Sequence, residues 1–99
     1  MGDKLERDYQ SSLIKRLKIR FPGCIILKND PDYIQGIPDL IILYGPHWAM
    51  LEVKKDGKAS HRPNQDYYIS KAKAMSYGSF IYPENEEAVL NEVQQAFKS

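Results

Sequence analysis

Apolar residues recur every four positions at Leu5, Tyr9, Leu13, Leu17 and Phe21, with Ile14 beside them. Side chains four apart share one helix face, so this spacing predicts an amphipathic helix over Asp3–Phe21. Asp3 suits the N-cap, and Pro22-Gly23 ends the element. The pattern then changes. Cys24–Lys28 is a short apolar run and predicts a strand. Asn29-Asp30-Pro31-Asp32 is turn chemistry, and its loop carries Tyr33 and Gln35 before reaching Gly36. Two further runs, Ile37–Tyr44 and Trp48–Val53, are joined by Gly45-Pro46-His47 and predict an antiparallel hairpin.

Asp56–Arg62 is a polar, basic loop. Pro63 suits the first turn of a helix running to about Tyr77, with Gly78 as its stop. Its buried stripe is expected at Ile69, Ala72 and either Met75 or Ser76, flanked by Tyr68 and Tyr77. Ser79–Tyr82 reads as a strand and Pro83 breaks the chain. Glu84–Lys98 reads as a last helix with Val89, Val93, Ala96 and Phe97 at helical spacing. Its acids come early and Lys98 late, as the helix dipole favours. The order α-β-β-β-α-β-α gives an α/β class, one sheet with helices on its faces. The last strand follows a helix, so a right-handed crossover should make the sheet mixed.

The chain has 99 residues, which points to one domain spanning 1–99 with a small core. No apolar run approaches bilayer length, and no signal-peptide pattern opens the chain. A single cysteine, Cys24, fits a reducing, intracellular setting. Net charge is only +1, but it is unevenly spread. Val53–Lys73 holds six Lys or Arg against two acids, whereas Pro83–Ser99 holds one against four. That distribution suggests a basic side and an acidic side; ordinary solvated helix faces would give the same counts.

Three residues of the hairpin do not fit a packing role. Asp39 sits in the first run, and Glu52 and Lys54 close the second. Strand side chains alternate, so Glu52 and Lys54 face the same way, and antiparallel pairing can bring Asp39 beside them. Mg²⁺ accepts one or two protein carboxylates and keeps several waters. Asp39 and Glu52 suit that role, with the Val53 carbonyl as a further oxygen. A metal lowers the pKa of bound water, and Lys54 could hold the resulting hydroxide or stabilise charge on a phosphate. Together these suit phosphodiester hydrolysis. Glu6 borders the apolar stripe of the first helix, and Gln65 tops that of the second. Glu6 reads either as a residue snorkelling to water or as a carboxylate aimed into a site. Gln65 reads as a local cap or a site residue. Asp30 and Asp32 read as turn formers, Cys24 as structural, and His61 as a solvated loop residue. No P-loop or GxGxxG is present.

Pro38-Asp39 followed by Glu52-Val53-Lys54 resembles the PD-(D/E)XK nuclease motif. With Gly36-x-Pro38-Asp39, the basic loop and Gln65 opening the next helix, the pattern resembles the VRR-NUC family of virus-type replication-repair nucleases. The resemblance spans most of the chain and implies an αβββαβ core followed by a C-terminal helix. It implies that Asp39, Glu52 and the Val53 carbonyl bind Mg²⁺ or Mn²⁺. Lys54 would position the attacking water, with Glu6 and Gln65 completing the catalytic set. Lys55, Lys58, His61 and Arg62 would line a DNA path, contacting phosphates without reading sequence. Stand-alone members of the family look like homodimeric Holliday-junction resolvases, so a four-way DNA junction is the expected partner. A flap or nicking nuclease of low selectivity and a non-catalytic DNA-binding module are the rival expectations. Neither a membrane nor a nucleotide cofactor is expected.

Overall fold

A computed structural model describes residues Lys4–Lys98. The elements in chain order are α1 (Lys4–Arg20), β1 (Ile25–Lys28), β2 (Leu40–Tyr44), β3 (His47–Val53), α2 (Pro63–Met75), β4 (Gly78–Ile81) and α3 (Glu86–Lys98). The expected order is observed. The sheet runs β1-β2-β3-β4, antiparallel for the first two pairings and parallel between β3 and β4. The mixed sheet is thus closed by the α2 crossover, as the sequence predicts.

Side-chain alternation divides the sheet into two faces. Leu40 and Ile42 of β2, with Ala49, Leu51 and Val53 of β3, are fully buried. They pack in one cluster with Leu13, Leu17 and Phe21 of the α1 segment and with Val89, Leu90, Val93 and Phe97 of α3. The two helices are tied side by side by Arg16, whose Nε and Nη2 donate to the two Glu86 carboxylate oxygens at 2.6 and 2.8 Å. The opposite face meets α2 through Ile69 and Ala72. Gly78 permits that approach, since a Cβ there would lie 2.8 Å from the Ala72 Cβ and 2.9 Å from the Ile69 carbonyl oxygen.

Several boundaries differ from the sequence expectation. The Asp3 N-cap lies outside the described residues. Leu5 is 68% exposed, because the first turn of α1 runs past the core. β2 starts at Leu40 rather than Ile37, since Pro38 has no N–H to give a ladder. His47 belongs to β3, opposite Tyr44, so the connection is Gly45-Pro46 alone. α2 ends at Met75, which is exposed like Ser76, while Tyr77 is buried beyond the helix. Gly78 opens β4 instead of capping α2. α3 begins at Glu86, and it buries Leu90, which the spacing reading omitted.

Candidate active site

Asp39, Ile41 and Leu43 share one face of the β2 segment, and Trp48, Met50 and Glu52 share the facing side of β3. Extending the register Leu40↔Leu51 by one residue sets Asp39 opposite Glu52. The hairpin therefore brings the two carboxylates together on the α2 side of the sheet. The Asp39 backbone is pinned as its carbonyl accepts from the Asn29 N–H at 2.9 Å. Its Oδ2 accepts from the Val53 N–H at 3.0 Å, which fixes the carboxylate across the strand end.

Glu52 and Lys54 are 4% and 8% exposed, the only charged residues buried in the core among the described residues. The Lys54 N–H continues the parallel ladder by donating to the Ile81 carbonyl at 2.9 Å. Its Nζ lies 3.8 Å from Glu52 Oε2 and donates to Gln65 Oε1 at 2.9 Å. Gln65 Nε2 donates to Glu52 Oε2 at 3.1 Å, closing a triangle of side chains. Gln65 Oε1 also accepts from the Arg62 N–H at 3.1 Å, as the third residue of α2 does in a capping box. Gln65 thus makes the capping contact and, with the same side chain, meets Lys54 and Glu52.

With both carboxyls ionised, Asp39, Glu52 and Lys54 would sum to one excess negative charge in a poorly solvated place, and the site resists that state. Burial pushes the Glu52 carboxyl up to about 8, with the Asp39 carboxylate beside it and Glu6 further off adding to the rise. Burial also raises Asp39, against the Val53 N–H, its contact with Glu52 and the Lys54 charge. A buried and a half-buried carboxyl with one ammonium between them fit a hard divalent cation, which accepts that few protein ligands. Asp39 and Glu52 could hold it, with the Val53 carbonyl in the segment between them and Lys54. Among the described residues there is no group of three or more His, Cys, Asp or Glu that would make a richer metal site.

Two open hollows flank the triangle. One, about 310 Å³, is lined by Asp39, Glu52 and Gln65 together with Gln35, Arg62 and Asn64. Gly36 (φ +86°) forms its wall, and a Cβ there would come within 2.2 Å of the Asn64 Cβ. The other, about 580 Å³, is lined by Glu6, Lys54, Lys55, Asp56 and Lys58. Glu6 therefore reaches the Lys54 side of the site rather than the Asp39 side. Lys55, Lys58 and Arg62 are exposed around these openings. His61 is an exposed loop residue, as expected, and in addition its ring stacks on Phe80 at 3.7 Å and its Nδ1 lies 3.3 Å from Asp66 Oδ1. Sequence reasoning missed Asn64 and Phe80. Phe80 pairs with Glu52 in register, which only the parallel alignment reveals.

No family model matches the chain, and no curated protein matches it in sequence. A solved structure titled "VRR_NUC domain protein" superposes over 99% of this chain and 92% of its own, with a TM-score of 0.64 and 21% identity. The fold is that of a VRR-NUC domain. Every element of this chain, α3 included, falls within that superposition, so the VRR-NUC fold accounts for the molecule from end to end.

Proposed function

We propose that this chain is a single-domain member of the VRR-NUC family and a metal-dependent DNA endonuclease, acting as a homodimer on Holliday junctions. The observation that carries the reading is the buried Glu52–Gln65–Lys54 triangle with Asp39 clamped beside it. Burying these charges costs a core stability, whereas carboxylates for a metal and an ammonium beside them suit hydrolysis of a phosphodiester. Mg²⁺ or Mn²⁺ on Asp39, Glu52 and the Val53 carbonyl would supply Lewis acidity toward water and phosphate. Lys54, held by Gln65, presents an ammonium to the attacking water and to charge developing on the phosphate. Gln65 keeps Lys54 and Glu52 in register with the start of α2. Glu6 adds negative charge on the Lys54 side. Lys55, Lys58 and Arg62 neutralise backbone phosphates on either side, and His61 supports their loop through Phe80. A two-fold dimer would set two such sites against two strands of a junction.

Four-way junction, flap, fork and linear duplex are to be digested in parallel with Mg²⁺ or Mn²⁺. Preferential, paired cutting of the junction is expected, and loss of cutting in Glu52→Ala and Lys54→Ala. Equal cutting of all four would leave a low-selectivity nicking nuclease. DNA binding without cutting by the wild type would leave a binding module.

A further inference from the structure

Phe80 lies outside the buried core cluster, on the same side of the sheet as Glu52, its register partner on the neighbouring strand. The His61 ring lies flat on it, with centroids 3.7 Å apart and planes 9° from parallel. Asp66 of α2 meets the edge of that ring at Nδ1, 3.3 Å away. One face on Phe80 and one edge on Asp66 still leave 36% of the His61 side chain exposed, so its outer face is open. The pair walls a hollow of about 290 Å³, which Lys73, Tyr82, Asn85 and Gly57 also line. That wall is firmly built. Asn85 accepts from the Tyr82 N–H at 2.8 Å and donates to the Phe80 carbonyl at 3.1 Å, which fixes the end of β4. The basic loop sits directly on the Tyr82 ring, where a Cβ at Gly57 would come within 3.1 Å.

We infer that His61, backed by Phe80, is a stacking platform for an unpaired nucleobase of the DNA beside the cleaved phosphate. The inference rests on the nuclease reading above and names the feature of the substrate that the platform selects. A phosphate contact needs a charge on a flexible stem; it has no need of a ring held flat from behind and at its edge. A nucleobase does need that, because it stacks by its face. In a duplex both faces of a base are covered by its neighbours, so only a base out of the stack can reach such a platform. The surroundings suit the phosphates on either side of that base. Arg62 follows His61 in the chain and Lys73 lines the hollow, both exposed. The position also fits. Neighbouring strands lie about 4.8 Å apart, so Phe80 stands one strand from Glu52. A base stacked on His61 and a phosphate at the carboxylates therefore belong to one nucleotide or to adjacent ones. Asn85, the amide in the hollow, is engaged with the backbone at the end of β4. The platform thus takes bases by their faces without discriminating among them, and it selects DNA by structure rather than sequence.

Equilibrium binding of the full chain in Ca²⁺ tests it. The probes are a fully paired duplex, the same duplex with an unpaired thymine bulged from one strand, and the same bulge with an abasic sugar in place of the thymidine. The wild type should bind the thymine bulge about tenfold tighter than either of the others. His61→Ala and His61→Lys should lose that preference and His61→Phe should keep it, each with an unchanged circular dichroism spectrum. His61→Lys behaving as the wild type would make His61 a phosphate contact and overturn the inference. So would a wild type that binds the abasic bulge as tightly as the thymine bulge, a comparison that needs no variant to fold. Cutting is read separately in Mg²⁺. A wild type that shows the preference and never cuts any DNA refutes the nuclease reading and leaves the platform standing. One that cuts but shows no preference refutes the platform alone.

Discussion

Replacing Glu52 by Gln should stabilise the metal-free protein above neutral pH while abolishing its activity. In the folded chain the Glu52 carboxyl is raised to about 8 from 4.5. Between those values the folded protein keeps a proton that the unfolded chain has released. Stability contributed by that proton is full below the unfolded pKa and is lost as pH rises through the folded one. Each pKa unit corresponds to about 1.4 kcal/mol, so the whole window amounts to on the order of 4–5 kcal/mol. A domain of this length has a total stability of roughly 5–15 kcal/mol, so the loss is large. Glutamine keeps the shape and the acceptor for Gln65 Nε2, and it carries no charge to desolvate. Near pH 5 the two proteins should melt alike. Near pH 9 the Gln variant should melt higher by about 10 °C or more.

The assay is thermal unfolding by circular dichroism from about pH 5 to about pH 9, with chelator and then with Mg²⁺ or Ca²⁺. The cation should raise the melting temperature of the wild type at alkaline pH, because it binds only the folded state. It should do far less for Glu52→Gln. Parallel pH profiles for the two proteins would refute the electrostatic account of the site. A wild type indifferent to every divalent cation would refute the metal role of Asp39 and Glu52.

Gln65→Ala removes the cap of α2 and the hold on Lys54 together; about 1–2 kcal/mol of stability and a tenfold or greater loss of kcat are expected, measured by urea unfolding and junction cleavage. Gly36→Ala places a Cβ against Asn64 at a positive φ and should destabilise the fold by about 1–3 kcal/mol in the same unfolding assay, and a neutral result would mean that the loop moves freely from α2. Glu86 is held below the usual carboxylate range by Arg16 and by the Tyr9 hydroxyl, so Arg16→Ala should remove stability that is present above about pH 4.5 and is lost on acidification, narrowing the gap to wild type at low pH. Phe80→Ala should free His61 and lower junction affinity several-fold in a binding titration while leaving the pH profile of cleavage unchanged.

Most of the fold was legible because its periodicities are clean. Leu13, Leu17 and Phe21 for α1, and Val89, Val93 and Phe97 for α3, are the buried positions that four-residue spacing selects. The errors cluster where one residue serves two elements. Gly78 has the chemistry of a helix stop, but its missing Cβ is used by β4 to let α2 close on the sheet. Leu5 follows the apolar stripe perfectly well and still faces out, because periodicity reports direction around a helix and not how far along it the core extends. The VRR-NUC architecture needed the order of elements together with the motif, neither alone being specific.

Of the proposed site, the Asp39–Glu52 pairing was readable from strand alternation, and the Gln65 contacts were not. Position within a helix stripe says that Gln65 points inward; it cannot say that one oxygen would serve the Arg62 N–H and the Lys54 ammonium at once. That sharing has a consequence for how the site forms. The cap that starts α2 is completed by the same side chain that holds Lys54 against Glu52, so the helix cannot fray at its first turn without releasing the lysine. Gly36 reinforces the coupling, since the loop before Asp39 closes directly on Asn64 of that turn. The loop, the hairpin end and the helix start thus form one cooperative unit. Buried charge that costs the fold stability is kept in place by backbone contacts that the fold needs in any case.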